Sequence, residues 1–120
     1  MQINIKYKNG RIKLEIKPVF GIGKFIGLMF SRREKTDALL FDFKKPVKIS
    51  IHSFFVFYPF IAIWLDENNK IVKIRKILPF KLNEKPEKPF AKLIEIPINE
   101  KYREIDELLF GKISTTTRKV

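Results

Sequence analysis

Residues 54–65 read FFVFYPFIAIWL, twelve consecutive apolar side chains in a chain of 120 residues that carries a formal net charge of +12. The fate of this run decides the architecture. It could be a membrane anchor, the wall of a binding site, or the middle of a core. A spanning helix needs about 18 or more apolar residues. This run is shorter, and Pro59 stands inside it, where a helix would lose a hydrogen bond and kink. A membrane span is therefore excluded. Strands buried on both faces read as continuous apolar runs, so the stretch is expected to form two buried strands that meet at a proline break. An apolar pocket or a subunit contact is the alternative use of the same surface.

Around that run, 45 % apolar residues suffice for a core of ordinary size. The chain has no cysteine, which excludes disulfides, thiolate zinc sites and cysteine nucleophiles together. The opening MQINIKYKNG brings in charge every second residue and has no apolar stretch of signal-peptide length, so a cytoplasmic location is expected. Abundant Lys, Glu and Ile without cysteine give a thermophile-like composition. The positive charge is uneven. Residues 1–50 hold twelve basic and four acidic side chains, which is +8 of the total, whereas residues 91–120 contribute only +1.

The basic end has its own pattern. INIKYK and RIKLEIK alternate apolar and polar residues with period two on either side of Asn9 and Gly10, a strong hairpin signal, and predict strands at 2–8 and 11–17. A two-residue Asn9-Gly10 turn would set Lys8 opposite Arg11, Lys6 opposite Lys13 and Asn4 opposite Glu15. Ile3, Ile5, Tyr7, Ile12, Leu14 and Ile16 would then share the buried face. Directly opposed cations cost a few tenths of a kcal/mol or more per pair unless solvent or an anion screens them. The outer face is thus either a solvated surface with flexible lysines or an anion-binding patch.

Further along, Gly21, Gly23 and Gly27 match neither a dinucleotide fingerprint nor a Walker loop. Ser31 and Glu34 form a short capping box that would start a helical turn over 32–36. Strands are expected in ALLFDF, KISIHSFF, FIAIWLD and KIVKIRKI, with Glu67-Asn68-Asn69 as a polar turn, and again in AKLIEIP at 91–97. Asn99 could cap a helix at about 100–109 with Tyr102, Ile105, Leu108 and Leu109 on one face and Gly111 at its end. These elements predict a mainly β fold: a single compact sandwich-like or barrel-like domain of antiparallel strands over 1–113, with an N-terminal hairpin and one or two short helices. Residues 114–120 would be a flexible tail.

GLMF at 27–30 followed by SRR, ALLFDF at 38–43, PFIAIWLDENNKIVKI at 59–74 and KPFAKLIEIPI at 88–98 together resemble the ordered blocks of an uncharacterised conserved family, domain of unknown function 192, over about residues 20–110. The resemblance implies a compact sandwich-like or barrel-like β domain and no established activity. One departure is informative. Where the family carries an aromatic-Met-Lys-Asn-Thr segment and then Pro-Leu-Asp, this chain has His52, Ser53, Phe54, Phe55 and Val56, with Ile61 at the Asp position. The family's best polar cluster is replaced by apolar side chains, so chemistry carried there would be lost here.

Little else points to catalysis or to a cofactor. His52 is the sole histidine and lacks the partners of a metal site. Ser50 and Ser53 have no glycine elbow. Asp42, inside an apolar strand, is the carboxylate expected to be unusual, pairing with Lys44, Lys48 or Arg32 or facing water. Two function classes follow. One is a non-catalytic module that binds a polyanion such as nucleic acid through Lys6, Lys8, Arg11 and Lys13, with Arg32 and Arg33, and with Lys44, Lys45 and Lys48 as extensions. The other is a small-molecule binder or unrecognised enzyme working beside the GLMFSRR segment.

Overall fold

The computed structural model describes residues 1–8, 10–19, 37–48, 59–78 and 85–111. Among these residues six strands form one sheet: β1 (Gln2–Tyr7), β2 (Gly10–Pro18), β3 (Ala38–Val47), β4 (Phe60–Leu65), β5 (Ile71–Ile77) and β6 (Phe90–Pro97), in the order β1-β2-β3-β6-β4-β5. A 3₁₀ turn over Glu100–Tyr102 and helix α1 (Arg103–Phe110) follow. The fold is mainly β, as the alternation predicts, and the sheet curls into a half-barrel.

The apolar run explains the middle of the sheet. β4 is flanked by β6 and β5, and all six of its residues are buried. Successive side chains on a strand point to opposite faces. Accordingly Ile61, Ile63 and Leu65 enter one cluster with Ile3, Ile5, Ile12, Leu14 and Ile16, while Phe60, Ala62 and Trp64 enter a second with Leu39, Phe41 and Phe90. The first cluster draws on β1 and β2 as well as β4 and β6, and Ile71 and Ile74 of β5 pack against it. Only a concave sheet brings its two edge strands onto one core. The first half of the apolar run, 54–58, lies outside the described residues, as do the expected strand at 48–55 beyond Lys48, the capping box at 31–34, and the tail.

Three features depart from the sequence expectation. β2 and β3 run parallel, at Ile16↔Ala38 through Pro18↔Leu40. The other ladders are antiparallel. Parallel neighbours need a crossover connection of a dozen or more residues, which a hairpin reading of short strands does not anticipate. β3 also continues past Phe43 to Val47, because Lys44 adopts a left-handed φ of 65° and the ladder to β6 resumes at Val47↔Phe90. Finally, Leu108 is 54 % exposed. At about 100° per residue it stands roughly 120° away from Tyr102, off the inward face. Asp106 takes the inward position instead, paired with Lys76 of β5 at 3.1 Å. The caps are as expected: the Asn99 side chain accepts the Tyr102 N–H, and the Gly111 N–H, at φ 85°, donates to the Glu107 carbonyl.

Candidate polyanion interface

The outward face of β1 and β2 is where the sequence places its cations. Ile3, Ile5, Ile12, Leu14 and Ile16 are buried, so the alternating Lys6, Arg11, Lys13 and Lys17 are exposed. Their mutual register differs from the expected one. Tyr7 pairs with Gly10, Lys6 with Arg11, Asn4 with Lys13 and Gln2 with Glu15, a shift of two positions. A shift of two preserves which side chains face the core, so the apolar pattern does not oppose it. Charge favours it. The expected register would oppose two pairs of cations, whereas here only Lys6 and Arg11 are opposed, and Glu15 instead meets the terminal amine of Met1 at 2.9 Å. That hydrogen bond from the ammonium group holds the Glu15 carboxyl below its usual range. The stabilisation it supplies is present above the ordinary carboxylate range and is lost as pH falls through the lowered value. The cost falls on Lys8, which turns the corner with φ 53° and lays its ammonium 5.3 Å from the centre of the Tyr7 ring.

The curl of the sheet then adds a cation from elsewhere. The Lys6 N–H donates to the Asn69 carbonyl at 3.0 Å, and Lys6 forms a parallel bridge with Lys70, just before β5. Bridge partners on adjacent strands present their side chains on the same face. Lys70, Lys6 and Arg11 therefore make one outward row that runs from the residue before β5 across β1 to β2. All three are exposed, and among the described residues none has an acidic partner. The turn that places Lys70 is well tied. Asp66 Oδ1 accepts the N–H groups of Asn68 and Lys70 at 2.8 and 3.0 Å, Asn69 takes the left-handed conformation its side chain tolerates, and Lys92 donates to Asn69 Oδ1.

Other sequence candidates fare differently. Lys44 and Lys45 are exposed on the far half of β3 and Lys48 just past its end, and Lys44 is turned onto Asp42, with Nζ to Oδ2 at 3.5 Å and its N–H to Oδ1 at 2.9 Å. Asp42 thus stabilises a kink in β3. The described carboxylates that are truly buried are Asp106 and Glu95, the latter on β6 between Leu39 and Ala62. A small open crevice of about 170 Å³ is lined by Asp42, Lys44, Glu67, Ala91 and Lys92. Two carboxylates against two ammonium groups leave it without the excess positive charge of the hairpin row. Arg32, Arg33, His52, Ser50, Ser53 and the GLMFSRR segment lie outside the described residues. No group of three His, Asp or Glu side chains that could hold a metal ion occurs among the described residues. No helix among them is long and apolar enough to cross a membrane. Sequence reasoning missed Lys70, because nothing in its local pattern signals a contact with the hairpin.

The class defined by these features is a small curled β half-barrel with a basic row along its closing edge that has no acidic partner among the described residues. The chain belongs to the DUF192 family, described as an uncharacterized ACR, whose model matches residues 6–103. No curated protein matches it. Among solved structures it is similar to a protein of unknown function from Novosphingobium aromaticivorans DSM 12444, with a TM-score of 0.69 and 14 % identity over 88 % of this chain and 77 % of the other. It is also similar to a candidate transcription regulator from Sinorhizobium meliloti 1021, with a TM-score of 0.66 and 19 % identity over 78 % of this chain and 76 % of the other. At these identities the likeness establishes the fold.

Proposed function

We propose that the protein is a non-catalytic binding module for a polyanion, with nucleic acid as the ligand class, held through Lys6, Lys8, Arg11 and Lys13. The observation that carries this reading is the outward row of cations with no acidic partner among the described residues, on a hairpin whose other face is fully committed to the core. Cations set side by side on neighbouring strands repel, and a phosphate chain turns that repulsion into attraction. Arg32 and Arg33 join the proposal on sequence alone. The Sinorhizobium neighbour's description as a transcription regulator belongs to that protein and lends this one no base-reading surface. Tyr7, the aromatic residue on the two strands, packs against the inner core and lies under Lys8, so it offers no stacking platform. Recognition would therefore be electrostatic and tolerant of sequence.

Fluorescence anisotropy with labelled duplex DNA and single-stranded RNA, repeated over a salt series, tests this. Four phosphate contacts predict a slope of log K against log salt of about −3.6 on duplex and about −2.8 on a single strand. Changing Lys6, Lys8, Arg11 and Lys13 together to Glu should abolish binding while circular dichroism stays native. Unchanged affinity in that folded variant would overturn the proposal.

A further inference from the structure

We infer that Lys70, on the turn between β4 and β5, belongs to the same anion site as the hairpin, and that a bound single strand of nucleic acid ties the two edges of the sheet together. This rests on the binding function proposed above and extends it to a residue far away in sequence. Three observations lead there. Among the described residues, the edges β1 and β5 meet through the Lys6 N–H to Asn69 carbonyl bond and the Lys6↔Lys70 bridge. The row Lys70, Lys6, Arg11 is centred on that contact, and its side chains share one face. Asp66 fastens the backbone of the turn with two hydrogen bonds, so Lys70 is held at the end of the row by a built turn.

Two consequences follow from the geometry. Strands lie about 4.8 Å apart, so the row spans roughly 10 Å. Each strand of a duplex carries one charge per about 3.4 Å of axis and an extended single strand spaces them more widely, so the row meets about two successive phosphates, one for each neighbouring pair of cations. The closing contact also sets like charges on both sides of Lys6. Without an anion their repulsion opposes closure. With a phosphate bridging each neighbouring pair, the same charges hold β5 to β1. Binding and seam closure are then linked, and the linkage is reciprocal.

The test uses the full chain and a labelled oligouridylate strand over a salt series. Variants are Lys70→Gln, Lys70→Arg, and Arg103→Gln on α1 as a control for loss of a distant cation, each checked for a native circular dichroism spectrum. Lys70→Gln should weaken binding several-fold at low salt and reduce the magnitude of the salt slope by about 0.7, one phosphate contact on a single strand. Lys70→Arg should restore both. Hydrogen exchange at the Lys6 amide should slow when the strand is added to the wild-type protein. If the wild type binds and the hairpin charge reversal abolishes binding, but Lys70→Gln behaves like Arg103→Gln, the assignment of Lys70 is wrong and the hairpin proposal stands. Binding without slower exchange at Lys6 would sink the link to seam closure. No binding by the wild type at low salt would remove the hairpin proposal and this inference with it.

Discussion

β4 and the β1–β5 seam are both contacts between strands of one sheet, and they are held by opposite means. β4 is paired on both sides along its length, and its six side chains are divided between two apolar clusters. At the seam, among the described residues, one bridge joins two strands whose facing side chains are lysines. The centre is specified by burial, which tolerates little variation. The seam is specified by a turn and by charge, which leaves it adjustable and is what a binding surface requires. Deleting the same atoms in each region should separate them. Ile63→Ala removes a side chain that is 1 % exposed and should cost about 2–5 kcal/mol, lowering the melting temperature by roughly 10 °C or more. Ile71→Ala, half-buried beside the seam, should cost about 1 kcal/mol or less. Urea unfolding of both variants measures the difference, and equal costs would mean that the seam is as tightly packed as the centre.

A second comparison lies between burial and hydrogen bonding. Tyr102 is buried, and its hydroxyl accepts the Ala38 N–H at 2.7 Å and donates to the Glu15 carbonyl at 3.3 Å. It thereby ties the C-terminal segment to the place where β2 and β3 begin their parallel pairing. Tyr102→Phe keeps the ring and leaves the amide of the fully buried Ala38 without its acceptor. The expected cost is about 1–3 kcal/mol, with faster exchange of the Ala38 amide. A loss below about 0.5 kcal/mol, with Ala38 still protected, would show that the parallel ladder holds without this tie.

These contrasts explain what could be read from the sequence. The positions of β1 and β2, and the faces they bury, follow from period-two alternation, because a wrong phase would expose the whole apolar set, whereas β5 and β6 are legible as strands from their β-branched and aromatic content. β4 was legible as a strand buried on both faces because no polar residue interrupts it. Choices that leave the buried face unchanged were not legible. The hairpin register slipped by two at no apolar cost, and the parallel partnership of β2 with β3 is decided by residues far apart in the chain. The candidate site divides in the same way. Lys6, Arg11 and Lys13 face outward because their neighbours face inward. Lys70 joins them only through the curl, which has no local signature. Asp42 drew attention as a carboxylate in an apolar strand, yet a left-handed residue two positions on gives it a local partner. Glu95, equally surrounded by apolar sequence, is the buried one.

The finest test concerns the hairpin corner, where the two registers make opposite predictions. If Asn9 and Gly10 formed the turn, Gly10 would need the left-handed conformation, and Gly10→Ala would cost about 1 kcal/mol or more. In the structure Gly10 is paired with Tyr7 and lies outside the left-handed region, and an added Cβ would meet only the Tyr7 carbonyl, at 4.0 Å. Gly10→Ala should then be neutral, or stabilising by up to about 0.5–1 kcal/mol through the lower entropy of the unfolded chain. Lys8 carries the left-handed φ of 53° instead, so Lys8→Gly should relieve strain and at least offset the entropy that glycine adds to the unfolded state. Thermal unfolding of the two variants measures a difference of a few degrees. A destabilising Gly10→Ala together with an indifferent Lys8→Gly would move the turn back to Asn9 and Gly10. Lys6 would then face Lys13, which would replace Arg11 in the line of cations from Lys70.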